Sequence, residues 1–151
     1  MLRNSLNDAL KAAMRERDSA TTSTVRLILA GLKDRDIAAR PKGNSMGIGD
    51  DEILSMLQGM IKQRRESIAL YEKGKRADLV DKEAAEIVVI ERFLPRQMDE
   101  SAAAQAIGQV IQELGATTVK DMGRIMAELK ARHAGQIDFA KASALVKQRL
   151  G

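Results

Sequence analysis

The stretch DDEILSMLQGMIKQRRESIALYEK, residues 50–73, decides the fold class. Leu54, Leu57, Ile61, Ile68 and Tyr71 recur at three-, four- and seven-residue spacing, and Ile53, Met56 and Met60 widen the same face. That is the period of an amphipathic helix, not the two-residue alternation of a strand. Asp50 or Asp51 can cap its start, and Gly74, in EKGKRAD, breaks it. Arg64 falls in the gap of the stripe between Ile61 and Ile68.

Toward the N-terminus, PKGNSMGIGD (41–50) has three glycines in ten residues and reads as a mobile loop. Before it, a helix starting between Asp18 and Ser23 turns Val25, Ile28, Leu29 and Leu32 inward and ends near Ala39. The first helix, from about Leu2 to Glu16, carries Leu2, Leu6, Leu10 and Ala13 on one stripe. Toward the C-terminus, a helix from about Ala77 to Phe93 buries Val80, Ala84, Ile87, Ile90 and Leu94, and Pro95 ends it. Asp99 caps a fifth helix with Ile107, Val110, Ile111 and Leu114 inside and Gly115 just past its end. Thr118 and Asp121 have capping-box spacing. They open a sixth helix that buries Val119, Met122, Ile125, Met126 and Leu129. Asp138 caps a seventh, with Phe139, Ala142, Val146 and Leu150 inside. The reading is all-α: an N-terminal four-helix domain, 1–95, then a three-helix bundle, 96–151. The second is small enough to be marginal alone.

Composition supports a packed chain: 44% hydrophobic and 30% charged residues in 151. With no cysteine, disulfides, thiolate metal sites and a cysteine nucleophile are excluded. One histidine, His133, cannot build a histidine metal cluster in a single chain. No apolar run reaches the roughly 18 residues of a membrane span. The basic, amphipathic start resembles a transit peptide, but Asp8 and Glu16 argue against one. A cytoplasmic location is therefore the expected default. The net charge of +4 and a pI near 9.5 fit a nucleic-acid partner. The bias is mild: 9 basic and 6 acidic side chains in 1–50, 9 and 9 in 51–98, 7 and 6 in 99–151.

No serine has a glycine-elbow context, and GNSMGIGD lacks the Lys-Ser/Thr and preceding strand of a phosphate loop. His133 sits in a hinge with no acidic orienter beside it, which suits a helix end better than a catalyst. The methionines lie on apolar faces and read as core packing. A buried Arg64 needs an acid, and Glu83 or Glu86 on the next helix can supply it; an interhelical ion pair is the stronger reading and a ligand site the weaker. Lys120, Arg124, Lys130, Arg132, Lys141, Lys147 and Arg149 give the last helices a basic outer side. A solvated face and an RNA face explain it equally well.

The segment MLQGMIKQRRESIALYEKGKRADLVDKEAAEIVVIERFLPRQM (56–98) resembles the YqeY family of small GatB/YqeY-domain proteins. KQRRESI, GKRADLVDKE and FLPRQM stand in the family's order and spacing. The ending DMGRIMAELKARHAGQIDFAKASALVKQRL is similar to that family's C-terminal domain. The resemblance implies a two-domain all-α fold whose C-terminal three-helix unit is shared with the tail of GatB, a subunit of the glutamine-dependent tRNA amidotransferase. That tail is similar to a tRNA-binding module, and a related domain is appended to some glutaminyl-tRNA synthetases. Carried onto this chain, the shared end comprises Gly123 and Met126 of GRIM, then Gly135, Asp138, Leu145, Val146 and Lys147. Two departures bear on tRNA contact. The GKA[DN] hinge of the GatB tail is Gly135-Gln136-Ile137-Asp138 here, and a Val-Asn pair in the last helix is Ala142-Ser143.

The resemblance and the residues together imply a non-catalytic tRNA- or RNA-binding accessory module for aminoacylation or transamidation. Amidotransferase or aminoacyl-tRNA synthetase components are the implied protein partners, and no cofactor, metal or membrane is. Lys120, Arg124, Lys130, Gly135, Lys141 and Lys147 are the candidate RNA-binding positions. Two alternatives stay open: a component of an amidotransferase complex, where any carbon–nitrogen ligase activity belongs to the complex, and a helical protein–protein adaptor.

Overall fold

A computed structural model describes residues 1–150. Among them are seven α-helices and no strand: α1 Leu2–Arg15, α2 Ser19–Ala39, α3 Asp50–Lys73, α4 Ala77–Glu91, α5 Glu100–Leu114, α6 Met122–His133 and α7 Phe139–Leu150. No helix among these residues is long and apolar enough to cross a membrane. The chain divides into two units, one of Met1–Leu94 with α1–α4 and one from Pro95 onward with α5–α7.

In the first unit, α3 packs along α4, and α2 packs against α1, α3 and α4. Leu6, Ile28, Leu32, Ile53, Leu57, Ile61 and Ile90 form the centre of its core. Each such side chain taken from water stabilises by about 1.5–3 kcal/mol. Helix starts follow local chemistry. The Asp18 carboxylate caps α2, accepting the Thr21 amide at 3.0 Å and the Thr21 hydroxyl at 2.7 Å. These bonds, from the Thr21 hydroxyl first, hold the Asp18 carboxyl below the ordinary carboxylate range.

Three sequence expectations change in this unit. The cap position of α3 is Gly49, not Asp50 or Asp51; the Asp50 carboxylate instead accepts the Leu2 amide at 3.3 Å. Ala84 is exposed and Val89 buried, because Glu83 and Glu86 occupy the arc of α4 that faces α3. The glycine-rich loop is fastened rather than free. Arg3 grips Asp36 with two bonds of 2.7 and 2.6 Å and donates a third to the Ile48 carbonyl at 2.9 Å. Asp36 in turn accepts the Ile48 amide at 2.9 Å, and the Ile48 side chain is buried. Gly47 has φ +95°, and a Cβ there would meet Arg3 Nη2 at 2.5 Å, so glycine lets the loop pass under the clamp.

In the second unit, α5, α6 and α7 pack pairwise around Ile107, Val110, Ile125, Leu129, Ile137, Ala142 and Val146. Asp99 caps α5 through the Ala102 amide at 2.7 Å, and Gly115 ends it with φ +61°. Val119, expected inside, is 45% exposed. It lies in a 3-10 turn, Val119–Asp121, ahead of α6, and so falls off the 3.6-residue period.

Candidate nucleic-acid interface

Lys120 projects from the 3-10 turn that precedes α6 and is exposed. That turn is set by Asp121, whose carboxylate accepts the Thr117 amide at 3.2 Å and the Thr118 amide at 3.4 Å. The same carboxylate pairs with Arg124 at 2.9 Å. The Thr117 amide first, then Arg124 and the Thr118 amide, hold the Asp121 carboxyl below the ordinary range. Arg124 is therefore exposed but spoken for, whereas the sequence treats it as an open partner of Lys120.

Arg132 is engaged in the same way, bridging Glu113 at 2.7 Å and Glu128 at 2.6 Å. Its bond to Glu113 comes first in raising its own pKa, and the bond from Arg132 comes first in lowering that of Glu113. Arg149 lies over Gly108 of α5, where a Cβ would come within 2.7 Å of its Nη1. The arginines of this unit thus serve its own packing. Lys120, Lys130, Lys141 and Lys147 are exposed, and none has an ion pair among the described residues. On a helix of 3.6 residues per turn, Lys130 sits roughly 120° around α6 from Arg124, and Lys141 and Lys147 sit roughly 120° apart on α7. The four lysines spread charge around the unit and do not form one stripe.

Gly135 is buried, with φ +77°, in the turn between α6 and α7. Its left-handed backbone gives the position a conformational role in the hinge. Its carbonyl accepts from Gln97 Nε2, and the Gln136 carbonyl accepts the Met98 amide at 3.0 Å. The chain entering α5 is thereby tied to the α6–α7 hinge. Ile137, which replaces the third residue of the GKA[DN] hinge, is buried in the core. His133 stands half-buried with Nδ1 3.3 Å from Gln136 Oε1, a helix-end bond. The altered hinge is thus occupied by internal packing and bracing. Nothing local in the sequence signals these braces, because Gln97 and Gly135 are 38 positions apart.

In the first unit, Arg64 donates from Nε to Glu86 Oε2 at 2.8 Å and from Nη1 to the Met60 carbonyl at 3.2 Å, with Glu83 at 4.0 Å. The guanidinium is consumed by an interhelical ion pair, the stronger of its two sequence readings. The Arg3–Asp36 clamp was not anticipated; its partners lie 33 positions apart and neither stands in a motif.

Comparison with known proteins adds relatives. The family model described as Yqey-like protein matches residues 3–150. Over 112 residues the chain is 32% identical to Altered inheritance of mitochondria protein 41, mitochondrial, of Kluyveromyces lactis, covering 72% of this chain and 58% of that one. A protein of the same name in Lachancea thermotolerans is 33% identical over 89 residues, 59% of this chain and 46% of its own length. The one in Pyrenophora tritici-repentis is 29% identical over 130 residues, 82% and 68% of the two chains. In the first two of these, the match spans about half of the relative's length. The names correct the expected cytoplasmic location, since these relatives are named as mitochondrial proteins. That expectation rested on reading Asp8 and Glu16 as arguing against a transit peptide, and two acidic residues do not fix an address.

Proposed function

This chain belongs to the YqeY-like protein family, and within that family we propose that it acts as a non-catalytic RNA-binding accessory module, its RNA partner a tRNA or similarly folded RNA. The observation that carries the reading is the division of labour among cations in the second unit. Arg124 and Arg132 are held by carboxylates and Arg149 lies on α5, while Lys120, Lys130, Lys141 and Lys147 are exposed without ion pairs. Lysine is a compact charge on a flexible stem, suited to following a phosphate backbone rather than reading base edges. The only phenylalanine, tyrosine or tryptophan of this unit, Phe139, is half-buried against the core and offers no stacking platform. Recognition is then of shape and backbone, with little sequence preference. The resemblance of this unit to the tail of the amidotransferase subunit supports tRNA as the RNA and a role beside aminoacylation or transamidation.

The test is a gel-shift titration of the full chain with a tRNA pool at low salt, repeated with a duplex RNA and an unstructured RNA. Retardation of tRNA, weakened by substituting the four lysines with alanine, supports the reading. No retardation at low salt, together with stable capture by amidotransferase subunits, would transfer the chain to the alternative of a component in that enzyme.

A further inference from the structure

The groove where the end of α1 meets α2 holds about 610 Å³ and has no part in the RNA role proposed for the second unit. Arg17 lines it from the turn that follows α1, and Ser19, Thr22, Ser23 and Arg26 line it from α2. Ser19, Ser23 and Arg26 follow one another at four and three residues, so they share one face of the helix. Met14 and Leu27, each half-exposed, complete the lining. Among the described residues no carboxylate lines the groove. The Asp18 carboxylate, next to it in sequence, is spent on the amide and hydroxyl of Thr21.

The donors of this groove are unspent. Among the described residues neither Arg17 nor Arg26 has a carboxylate partner, and Arg26 does no more than approach the Met14 sulfur at 4.0 Å. The Ser19 and Ser23 hydroxyls make no hydrogen bond among the described residues, whereas that of Thr22 donates to the Asp18 carbonyl at 2.7 Å. Arg17 holds φ +58°, the left-handed position that favours glycine, in a turn secured by the Asp18 amide donating to the Ala13 carbonyl at 2.9 Å. Strain of this kind is retained where the side chain has a use.

We propose that this groove binds a phosphoryl group, that of a small phosphate ester or of an RNA backbone, with Arg17, Arg26, Ser19 and Ser23 donating to its oxygens. Two forked guanidiniums and two hydroxyls offer more donors than the paired oxygens of a carboxylate can use, and they match the several oxygens of a tetrahedral phosphoryl group. Asp18 already caps the amide end of α2, so the site rests on side chains. Met14 and Leu27 keep water from one side of the guanidiniums, and their charge is screened less there. The groove has no aromatic ring to stack a base, so it takes the phosphoryl group and not the base. The site does not depend on the lysines of the second unit, and an inorganic probe tests it without RNA.

The test uses the full chain, isotope-labelled, with amide shifts followed by NMR. Millimolar pyrophosphate should shift amides between Met14 and Leu27 and saturate, and sodium chloride of the same ionic strength should not. Arg17→Gln with Arg26→Gln should weaken that binding about tenfold. Arg26→Lys keeps the charge but loses the fork, and should weaken it about two- to fivefold. Thermal midpoints should stay level, because neither arginine has a partner to lose; if the double variant unfolds, Arg26→Lys carries the test. A tRNA pool then identifies the source. Shifts of these amides by tRNA that pyrophosphate reverses assign the site to an RNA backbone, and no effect of tRNA on them assigns it to a small phosphate ester. The proposal is overturned by any one of three results: no saturating shift with pyrophosphate, pyrophosphate shifts confined to the second unit, or binding as tight in the variants as in the natural sequence.

Discussion

Arg64 shows how one residue's position in an apolar stripe can foretell its partner. A guanidinium with 12% of its side chain exposed has lost most of its water, and Glu86 with the Met60 carbonyl replaces it. Arg64→Ala leaves Glu86 nearly buried without a counter-charge. It should destabilise the first unit by roughly 3 kcal/mol, read as a lower urea midpoint. Replacing Arg64 and Glu86 together by Met and Leu should recover much of that loss, and an unchanged midpoint in the single variant would contradict the pairing. The Arg3–Asp36 clamp makes a pH statement. The bond from Arg3 first, with the Ile48 amide, depresses the Asp36 carboxyl below its ordinary 3.8. A depressed carboxylate contributes stability that is present above its unfolded value and lost as pH falls through the folded one. Acid unfolding followed by circular dichroism should therefore shed this contribution below about pH 4. Asp36→Asn should be less stable at neutral pH and show a shallower acid dependence. Gly47→Ala forces a Cβ against Arg3 at φ +95° and should lower the midpoint by about 1–3 kcal/mol.

At the scale of the element, the sequence was legible wherever a local pattern fixes local structure. The cap at Asp99, the glycine stop at Gly115 and the apolar stripes place all seven helices to within a few residues, and the second helix, whose start the sequence left open between Asp18 and Ser23, begins at Ser19 with Asp18 as its cap. Legibility ended where long-range partners decide. Ala84 lies on a stripe by period, yet two glutamates facing Arg64 displace it outward. The glycine-rich loop looks free from composition, yet Arg3 and Asp36 pin it from two other helices. Of the candidate RNA positions, the lysines were placed on the surface by pattern alone. The ion pair of Arg124 with Asp121 and the burial of Gly135 in a hinge were not legible, because they depend on geometry that spacing does not carry. Asp121 links two of these points. Asp121→Ala removes the carboxylate that caps the 3-10 turn and should lower the thermal midpoint. It also releases Arg124, so affinity for RNA should rise even as stability falls; a parallel loss of both would argue that Arg124 needs its present orientation to act.

The molecule as a whole is two helical units with different charge economies. In the first, arginines clamp helices and a loop; in the second, arginines are tied to carboxylates and lysines are left to solvent. Binding by such lysines must be salt-dependent, since each phosphate neutralised releases counterions. The most direct measurement is the tRNA affinity of the full chain at several salt concentrations, for the natural sequence and for a variant with Lys120, Lys130, Lys141 and Lys147 changed to Ala. With about three phosphates engaged, log affinity against log salt should fall with a slope of roughly −2 to −3, and the variant should be near zero with its helical content intact. A slope equally steep in the variant, or no binding by either protein at low salt, would contradict the claim that these lysines grip RNA.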